Sequence, residues 1–76
     1  MPGYIFNRFR VLLAQKAEFE RRNISIKEVQ RETSIAWSTL QSWANNKGTR
    51  YDAPIIMALC DYLDCEVSDL IVYKRE

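Results

Sequence analysis

With 76 residues, the chain has the length of one small domain, and we interpret residues 1–76 as a single domain. A composition of 47% hydrophobic and 28% charged residues is typical of a folded module and argues against a disordered chain. No apolar run approaches the roughly 20 residues of a membrane-spanning helix, and no basic segment followed by an apolar one opens the chain. We therefore expect a cytoplasmic protein without a membrane segment.

The net charge of +1 conceals a separation of charge along the chain. Residues 4–50 carry nine Lys or Arg and four Asp or Glu, a balance of +5, whereas residues 51–76 carry two basic and six acidic residues, a balance of −4. A basic face can gather phosphates while an acidic face points away. The alternative is that these charges are simply scattered over solvated surfaces.

The first and last elements of the chain are β-prone. Residues 4–6 are aromatic or β-branched, and so are residues 71–73. We expect a small two-stranded pairing of 4–6 with 71–73, leaning on the helices, or a strand offered to a second protomer. Between them, apolar residues at helical spacing from Phe9 onward predict a first helix over about 7–22.

Two short amphipathic helices follow in the middle of the chain. The first has Ile26, Val29 and Thr33 on one face. Ser25 can cap this helix, with Glu28 three residues later as its partner in a capping box. This pattern predicts that the helix begins directly after Ser25.

The connection between the two helices, residues 33–36, is too short for a flexible loop. The helices must therefore meet at a steep angle and share one core through Ile35. The second helix directs Leu40 and Trp43 inward, three residues apart. This layout is a helix-turn-helix at about 26–46, and it indicates DNA binding.

A fourth helix is predicted between Asp52, its cap, and Leu63, with Pro54 in the first turn. At three-and-four spacing its inward residues are Ala53, Ile56, Leu59, Cys60 and Leu63. Asp64 is one of the few residue types besides Gly that accept a left-handed turn. A last short helical turn then packs Leu70 inward.

The sequence at 25–47 resembles the Cro and lambda-repressor type of helix-turn-helix, also called the XRE family. Residues 38–47 match its pattern S-T-[IL]-x-x-W-x-N-[GN]-K, and residues 59–73 are similar to the ending L-C-x-x-L-x-C-x-x-x-D-L-[IL]-x-Y of a subset of very small members. The resemblance implies an all-α fold, a compact five-helix lambda-repressor-like bundle. Compared with the family pattern, the first helix is about one turn longer.

The resemblance also implies that the second helix of the motif, residues 37–45, enters the major groove of double-stranded DNA. The positions expected to face bases are Trp37, Ser38, Gln41 and Ser42. Gln reads adenine, Ser reads several bases, and Trp offers an apolar edge to a thymine methyl group. Phosphate contacts are expected from Ser25, Lys27, Asn45, Lys47, Thr49 and Arg50. The alternative for Trp37 is that it folds back into the core, whereas Trp43 matches a buried family position.

Several positions depart from the family pattern. Ile26 replaces a Gln that contacts phosphate in many members, and Gln30 replaces a small Ala at the helix crossing. Ser34 stands in place of the usual turn Gly. Ala36 replaces a Ser or Thr cap, and Ala44 replaces a Glu. These replacements bear on affinity and on the DNA contacts more than on the fold.

No arrangement typical of catalysis is present. The chain has no His and no Gly-rich phosphate loop, and its acids are dispersed, so we expect neither enzyme activity nor a metal or other cofactor. Cys60 and Cys65 fit neither a CxxC motif nor a zinc site. We expect them to be reduced and packed, with a sensing disulfide as the alternative.

Taken together, these features predict a sequence-specific DNA-binding transcriptional regulator, acting as a homodimer. The alternative function is a protein-interaction module of the same fold, such as the antitoxin partner of a toxin or an adaptor. The near-neutral net charge, Ile26 and Trp37 favour that alternative.

Overall fold

The computed structural model describes residues 3–47 and 51–75. The described part contains five helices and two short strands. In chain order these are β1 (Tyr4–Asn7), α1 (Phe9–Glu20), α2 (Ile26–Thr33), α3 (Trp37–Ala44), α4 (Ala53–Leu63), α5 (Val67–Leu70) and β2 (Ile71–Lys74). The fold is thus mainly helical, as predicted, with a small sheet added by the two ends of the chain.

Every helix contributes to one hydrophobic core, because each has an apolar side chain at the position that faces the others. The fully or almost fully buried residues are Phe9, Leu13, Val29, Ile35, Leu40, Trp43, Ala44, Leu59 and Leu70. The ring of Trp43 also meets Tyr51 edge-on, with 4.9 Å between ring centroids. The prediction that Ile35 and Trp43 are core residues is confirmed.

The two strands pair antiparallel, with Tyr4 opposite Lys74 and Asn7 opposite Ile71. The predicted pairing is confirmed and extends one residue further on each strand. Asn7, predicted to begin the first helix, instead ends β1 and is almost fully buried. Its Oδ1 accepts a hydrogen bond from the Phe9 N–H at 3.0 Å, which satisfies one free amide at the start of α1.

The end of α1 also differs from the sequence prediction. The helix stops at Glu20, because Arg21 adopts a left-handed conformation with φ 57° and the Arg22 N–H donates to the Ala17 carbonyl at 3.0 Å. The last turn of α1, by which this helix exceeds the family pattern, carries Phe19, and the Phe19 side chain is largely exposed. The predicted helix over 7–22 was therefore two residues too long at each end.

The last two helices follow the predicted course. α4 ends at Leu63, and Asp64 is left-handed with φ 54°. Ala53, predicted to face inward, is exposed because it is the first residue of α4 and the core contacts begin with Ile55. Of the other predicted inward residues, Leu59 is fully buried, and Ile56, Cys60 and Leu63 are partly buried against the core.

Candidate nucleic-acid interface

The first helix of the motif, α2, begins as the sequence predicts. Ser25 is extended, and its Oγ accepts a hydrogen bond from the Glu28 N–H at 3.2 Å. Val29 is fully buried and Ile26 is packed against the core. The same arrangement leaves Ser25 and Lys27 exposed at the N-terminal end of α2.

The turn between α2 and α3 is held by Thr33 and Ser34. The Thr33 hydroxyl donates to the Val29 carbonyl at 2.6 Å and accepts from the Ile35 N–H at 3.3 Å. Ser34, in place of the family's Gly, is left-handed with φ 62°, and its N–H donates to the Gln30 carbonyl at 2.8 Å. The turn buries Ile35 and so fixes the angle between the two helices.

The second helix, α3, has two distinct sides. Leu40, Trp43 and Ala44 are buried against the rest of the protein. Ser38 and Ser42 are exposed, and Trp37 is 48% exposed, so it does not fold back into the core. Among the four residues predicted to face bases, Gln41 alone is partly buried. α3 ends at Ala44, one residue earlier than predicted, with Asn45 as its C-cap.

The start of α3 carries no side-chain cap. Ala36 occupies the N-cap position and makes no side-chain hydrogen bond there. Gln30, which replaces a small residue at the helix crossing, is exposed and so avoids a clash in the core. A shallow depression of about 520 Å³ adjoins this start, lined by Lys27, Gln30, Arg31, Ser34, Ile35 and Ala36.

Directly after α3, backbone hydrogen bonds to the last turn of the helix close a turn. The Asn45 N–H donates to the Gln41 carbonyl at 3.0 Å, and the Lys47 N–H donates to the Ser42 carbonyl at 3.0 Å. Asn46 is left-handed with φ 53°. Asn45 and Lys47 are exposed at this end, as the phosphate-binding prediction requires.

One residue of this end has a role that the sequence did not reveal. The Asn46 side chain forms two hydrogen bonds with the backbone of Asn7, which lies 39 residues earlier in the chain. The end of α3 is therefore attached to β1. The family pattern marks position 46 as Gly or Asn, which signals its left-handed backbone but not this contact.

Ion pairs divide the basic residues into two groups. Arg22 pairs with both Glu20 and Glu28, and Lys16 pairs with Glu20 at 2.8 Å. The hydrogen bond that Arg22 donates to the Glu28 carboxylate is the largest of the interactions that raise the pKa of Arg22. Within residues 3–47 and 51–75, no ion pair engages Lys27 or Lys47.

Lys27 and Lys47 are therefore available to a ligand at the two ends of the helix-turn-helix. Arg31 is also exposed there, with Glu32 4.0 Å away. Outside the helix-turn-helix, the exposed basic residues without an ion pair in the described ranges are Arg10, Arg21, Lys74 and Arg75. Of the six predicted phosphate ligands, the described ones are Ser25, Lys27, Asn45 and Lys47, and all four are exposed. Thr49 and Arg50 lie outside the described residues. The described members of the predicted set thus lie on α3, directly after it, and at the N-terminal end of α2.

The described ranges contain no group of three or more His, Cys, Asp or Glu residues that is placed to hold a metal ion. No helix found there is long and apolar enough to cross a membrane. Cys60 and Cys65 are free thiols, each partly buried. Burial, together with the neighbouring Cys60, raises the pKa of the Cys65 thiol to about 11.

Comparisons with known proteins agree with this geometry. A family model for the Cro/C1-type HTH DNA-binding domain matches residues 10–76. The fold is similar to the crystal structure of a "putative DNA-binding protein" from Bacteroides fragilis, with a TM-score of 0.70 and 20% sequence identity over 91% of this chain and 100% of that chain. Among curated proteins, none matches this sequence.

Proposed function

The chain belongs to the family of Cro/C1-type helix-turn-helix DNA-binding domains, and from this membership we propose that it is a sequence-specific transcriptional regulator. It inserts α3 into the major groove of double-stranded DNA and acts as a homodimer on a pseudo-palindromic site. One module of this size forms a small interface with DNA, and two protomers on half-sites about one helical turn apart provide more contacts and more specificity.

The observation that carries the proposal is the contrast between the two sides of α3. Leu40 and Trp43 anchor the helix in the core, while Ser38 and Ser42 are exposed on its other side and Trp37 is half exposed at its first turn. A rigidly held helix with short polar groups and one large apolar side chain suits contact with base edges. Hydroxyls bind several bases, and the indole edge can cover a thymine methyl group.

The remaining base contact is assigned to Gln41, whose amide can pair with adenine. Its partial burial places it at the border of the exposed face. The phosphate contacts proposed at the flanks come from Ser25, Lys27, Asn45, Lys47, Thr49 and Arg50. Contacts on both sides of α3 would fix its depth and direction in the groove.

A protein partner is the second candidate function, and one observation favours it. A tryptophan that is 48% exposed is also suited to a protein interface. The second feature that suggested this alternative, Ile26, is packed against the core and offers less surface to a partner. The paired exposed serines beside Trp37 are more typical of a face that meets DNA.

Selection from random duplexes tests the proposal directly. The expected result is an enriched motif with two related half-sites. Gel-shift titration of the enriched duplex at two salt concentrations should show a steep loss of affinity at the higher one, because phosphate contacts release counterions. Failure to enrich any motif would refute sequence-specific binding, and binding to a toxin or another protein would then become the leading hypothesis.

A further inference from the structure

We propose that Cys60 and Cys65 form a modification site, in which the two thiols join in a reversible disulfide that links the end of α4 to the segment leading into α5. The co-reactant is a small disulfide compound that oxidises the two thiols. The inference does not depend on the proposed function, and its test involves no DNA. Both cysteines are free thiols in the structure, which therefore describes the reduced form.

The backbone at the end of α4 brings the two cysteines together. Asp64 is left-handed with φ 54°, and the N–H groups of Asp64 and Cys65 both donate to the Cys60 carbonyl. The bond from Cys65 is typical of a Schellman motif. In that motif the residue after the left-handed one commonly contacts a side chain of the last helical turn. Cys65 and Cys60 occupy these two positions.

The separation of the two backbones suits a disulfide. The Cys65 nitrogen lies 3.0 Å from the Cys60 carbonyl oxygen, and backbone bond lengths then keep the two Cα atoms within about 7 Å of each other. Cysteines whose Cα atoms are up to about 7 Å apart can be bridged without moving the backbone. The side chains are also close. Burial is the main cause that raises the pKa of the Cys65 thiol, and the charge of Cys60 and a hydrogen bond with its side chain add to it.

An oxidant can reach both thiols from one side of the molecule. A shallow depression of about 450 Å³ is lined by Cys60, Asp64, Cys65, Glu66, Val67 and Asp69. Three of these residues carry carboxylates and none is basic, so the depression repels an anionic oxidant and attracts a cationic one. Glu66 and Asp69 are fixed there as a capping box at the start of α5. A small disulfide that carries amino groups, such as cystamine, fits this site better than oxidised glutathione, which is anionic.

The reaction is a thiol–disulfide exchange in two steps. The Cys65 thiol, with a pKa of about 11, stays protonated at neutral pH, and we therefore assign the first attack to Cys60. The Cys60 thiolate attacks one sulfur of the small disulfide, forms a mixed disulfide and releases one small thiol. Cys65 then loses its proton to solvent and attacks the Cys60 sulfur, which forms the Cys60–Cys65 bond and releases the second small thiol. The two cysteines are oxidised by two electrons, and the small disulfide is reduced to two thiols.

Oxidation of the chain by cystamine, followed by alkylation of the remaining thiols and mass spectrometry, tests the inference. The expected product is a monomeric chain with neither a cystamine adduct nor an alkylated cysteine. Its melting temperature should exceed that of the reduced chain by roughly 5 °C or more, because the ring closed over residues 60–65 lowers the entropy of the unfolded chain. A product that keeps a mixed disulfide on each cysteine would overturn the inference. An oxidised chain that melts at or below the temperature of the reduced chain would overturn it as well.

Two asparagine variants test the role of the acidic depression. The wild type should react faster with cystamine than with oxidised glutathione. Asp64→Asn should narrow this ratio of rates severalfold, and Asn accepts the left-handed backbone at that position. Asp61→Asn is the same change at an exposed residue that does not line the depression, and it should leave the ratio nearly unchanged. Equal effects of the two variants would overturn the selection of a cationic oxidant.

Single-cysteine variants test the order of attack. Cys65→Ser should stop at the mixed disulfide on Cys60, because no second thiol is present to displace the small thiol. Cys60→Ser should form its mixed disulfide more slowly, because little of the Cys65 thiol is ionised at neutral pH. Circular dichroism shows whether both variants keep the fold. The reverse order of rates would overturn the assignment of the first attack to Cys60.

Discussion

The Asn46 carboxamide holds the backbone of Asn7 by two hydrogen bonds: its Oδ1 accepts from the Asn7 N–H at 2.7 Å, and its Nδ2 donates to the Asn7 carbonyl at 3.2 Å. Asn7 is almost fully buried and itself receives the Phe9 N–H. The contact therefore links the end of α3, the end of β1 and the start of α1. The Asn46 side chain thus adds a link to the N-terminal strand to the core contacts that hold α3.

Replacing Asn46 with Gly should destabilise the protein by about 1–3 kcal/mol, because the buried Asn7 N–H loses its partner. Gly accepts the left-handed backbone at this position, so the change adds no strain and the measured loss is a lower limit for the hydrogen bonds. Urea denaturation measures the change. Asn45→Ala, at the exposed neighbouring position, serves as the control and should alter stability by less than about 0.5 kcal/mol. Equal stability of Asn46→Gly and wild type would show that the contact contributes nothing.

Ser34→Gly should stabilise the protein by roughly 0.5–1 kcal/mol. A residue with a Cβ costs about 1–2 kcal/mol in the left-handed region, and the greater freedom of Gly in the unfolded chain offsets part of the gain. Ser34→Val should lower the stability of the protein, because a β-branched side chain is disfavoured in the left-handed region. Thermal unfolding of the three proteins gives the order of stability. A lower melting temperature for Ser34→Gly than for wild type would contradict the argument from strain.

Ala36→Ser should add a side-chain cap to α3 and stabilise the protein by about 1 kcal/mol. The Ala36 position has the extended ψ of an N-cap, 142°, and lacks a side-chain acceptor. Chemical denaturation compares the free energy of unfolding of Ala36→Ser with that of Ala14→Ser. Ala14→Ser is the same change at an exposed position inside α1 and should lower stability by a few tenths of a kcal/mol. Similar effects of the two changes would indicate that no cap forms.

Lys47→Ala should weaken binding to specific and random duplexes by similar factors and reduce the salt slope by about 1, as expected of a phosphate contact. Gln41→Ala should instead cost about 1–3 kcal/mol on the selected site and relax the preference at one base pair. Lys16→Ala is the control for lost charge, because Lys16 is paired with Glu20 and lies over the Tyr62 ring. Competition gel shifts measure all three. Equal losses on both kinds of DNA for Gln41→Ala would exclude a base contact by Gln41.

The Cys65 thiol should stabilise the protein below pH 9 and lose this contribution as the pH rises through about 11. Its folded pKa is raised from 9.0 to about 11, chiefly by burial, so the folded state holds the proton more tightly than the unfolded state. The stability difference between wild type and Cys65→Ala should therefore narrow across this range. Measuring both proteins in the same buffers cancels the titration of other groups, and a constant difference would contradict the raised pKa.

Local patterns in the sequence were sufficient to predict the elements. The spacing of Ile26, Val29 and Thr33, and then of Leu40 and Trp43, sets two helix faces, and Ser25 supplies a cap whose hydrogen bond depends only on neighbouring residues. The pairing of the chain ends was predicted from β-branched and aromatic composition. Hydrophobic periodicity and capping act over a few residues, which is why they can be recognised without a structure.

The sequence by itself therefore determined the helix-turn-helix, most of the buried positions and the family, while the tertiary structure decided which surface groups are available. Whether Trp37 is exposed, whether Arg22 is neutralised by Glu20 and Glu28, and whether Asn46 reaches Asn7 all depend on how separate elements pack. The physical reason is the separation along the chain over which each interaction acts. Periodicity places a side chain on a face of its own helix. Only packing brings residues 39 positions apart into hydrogen-bonding distance.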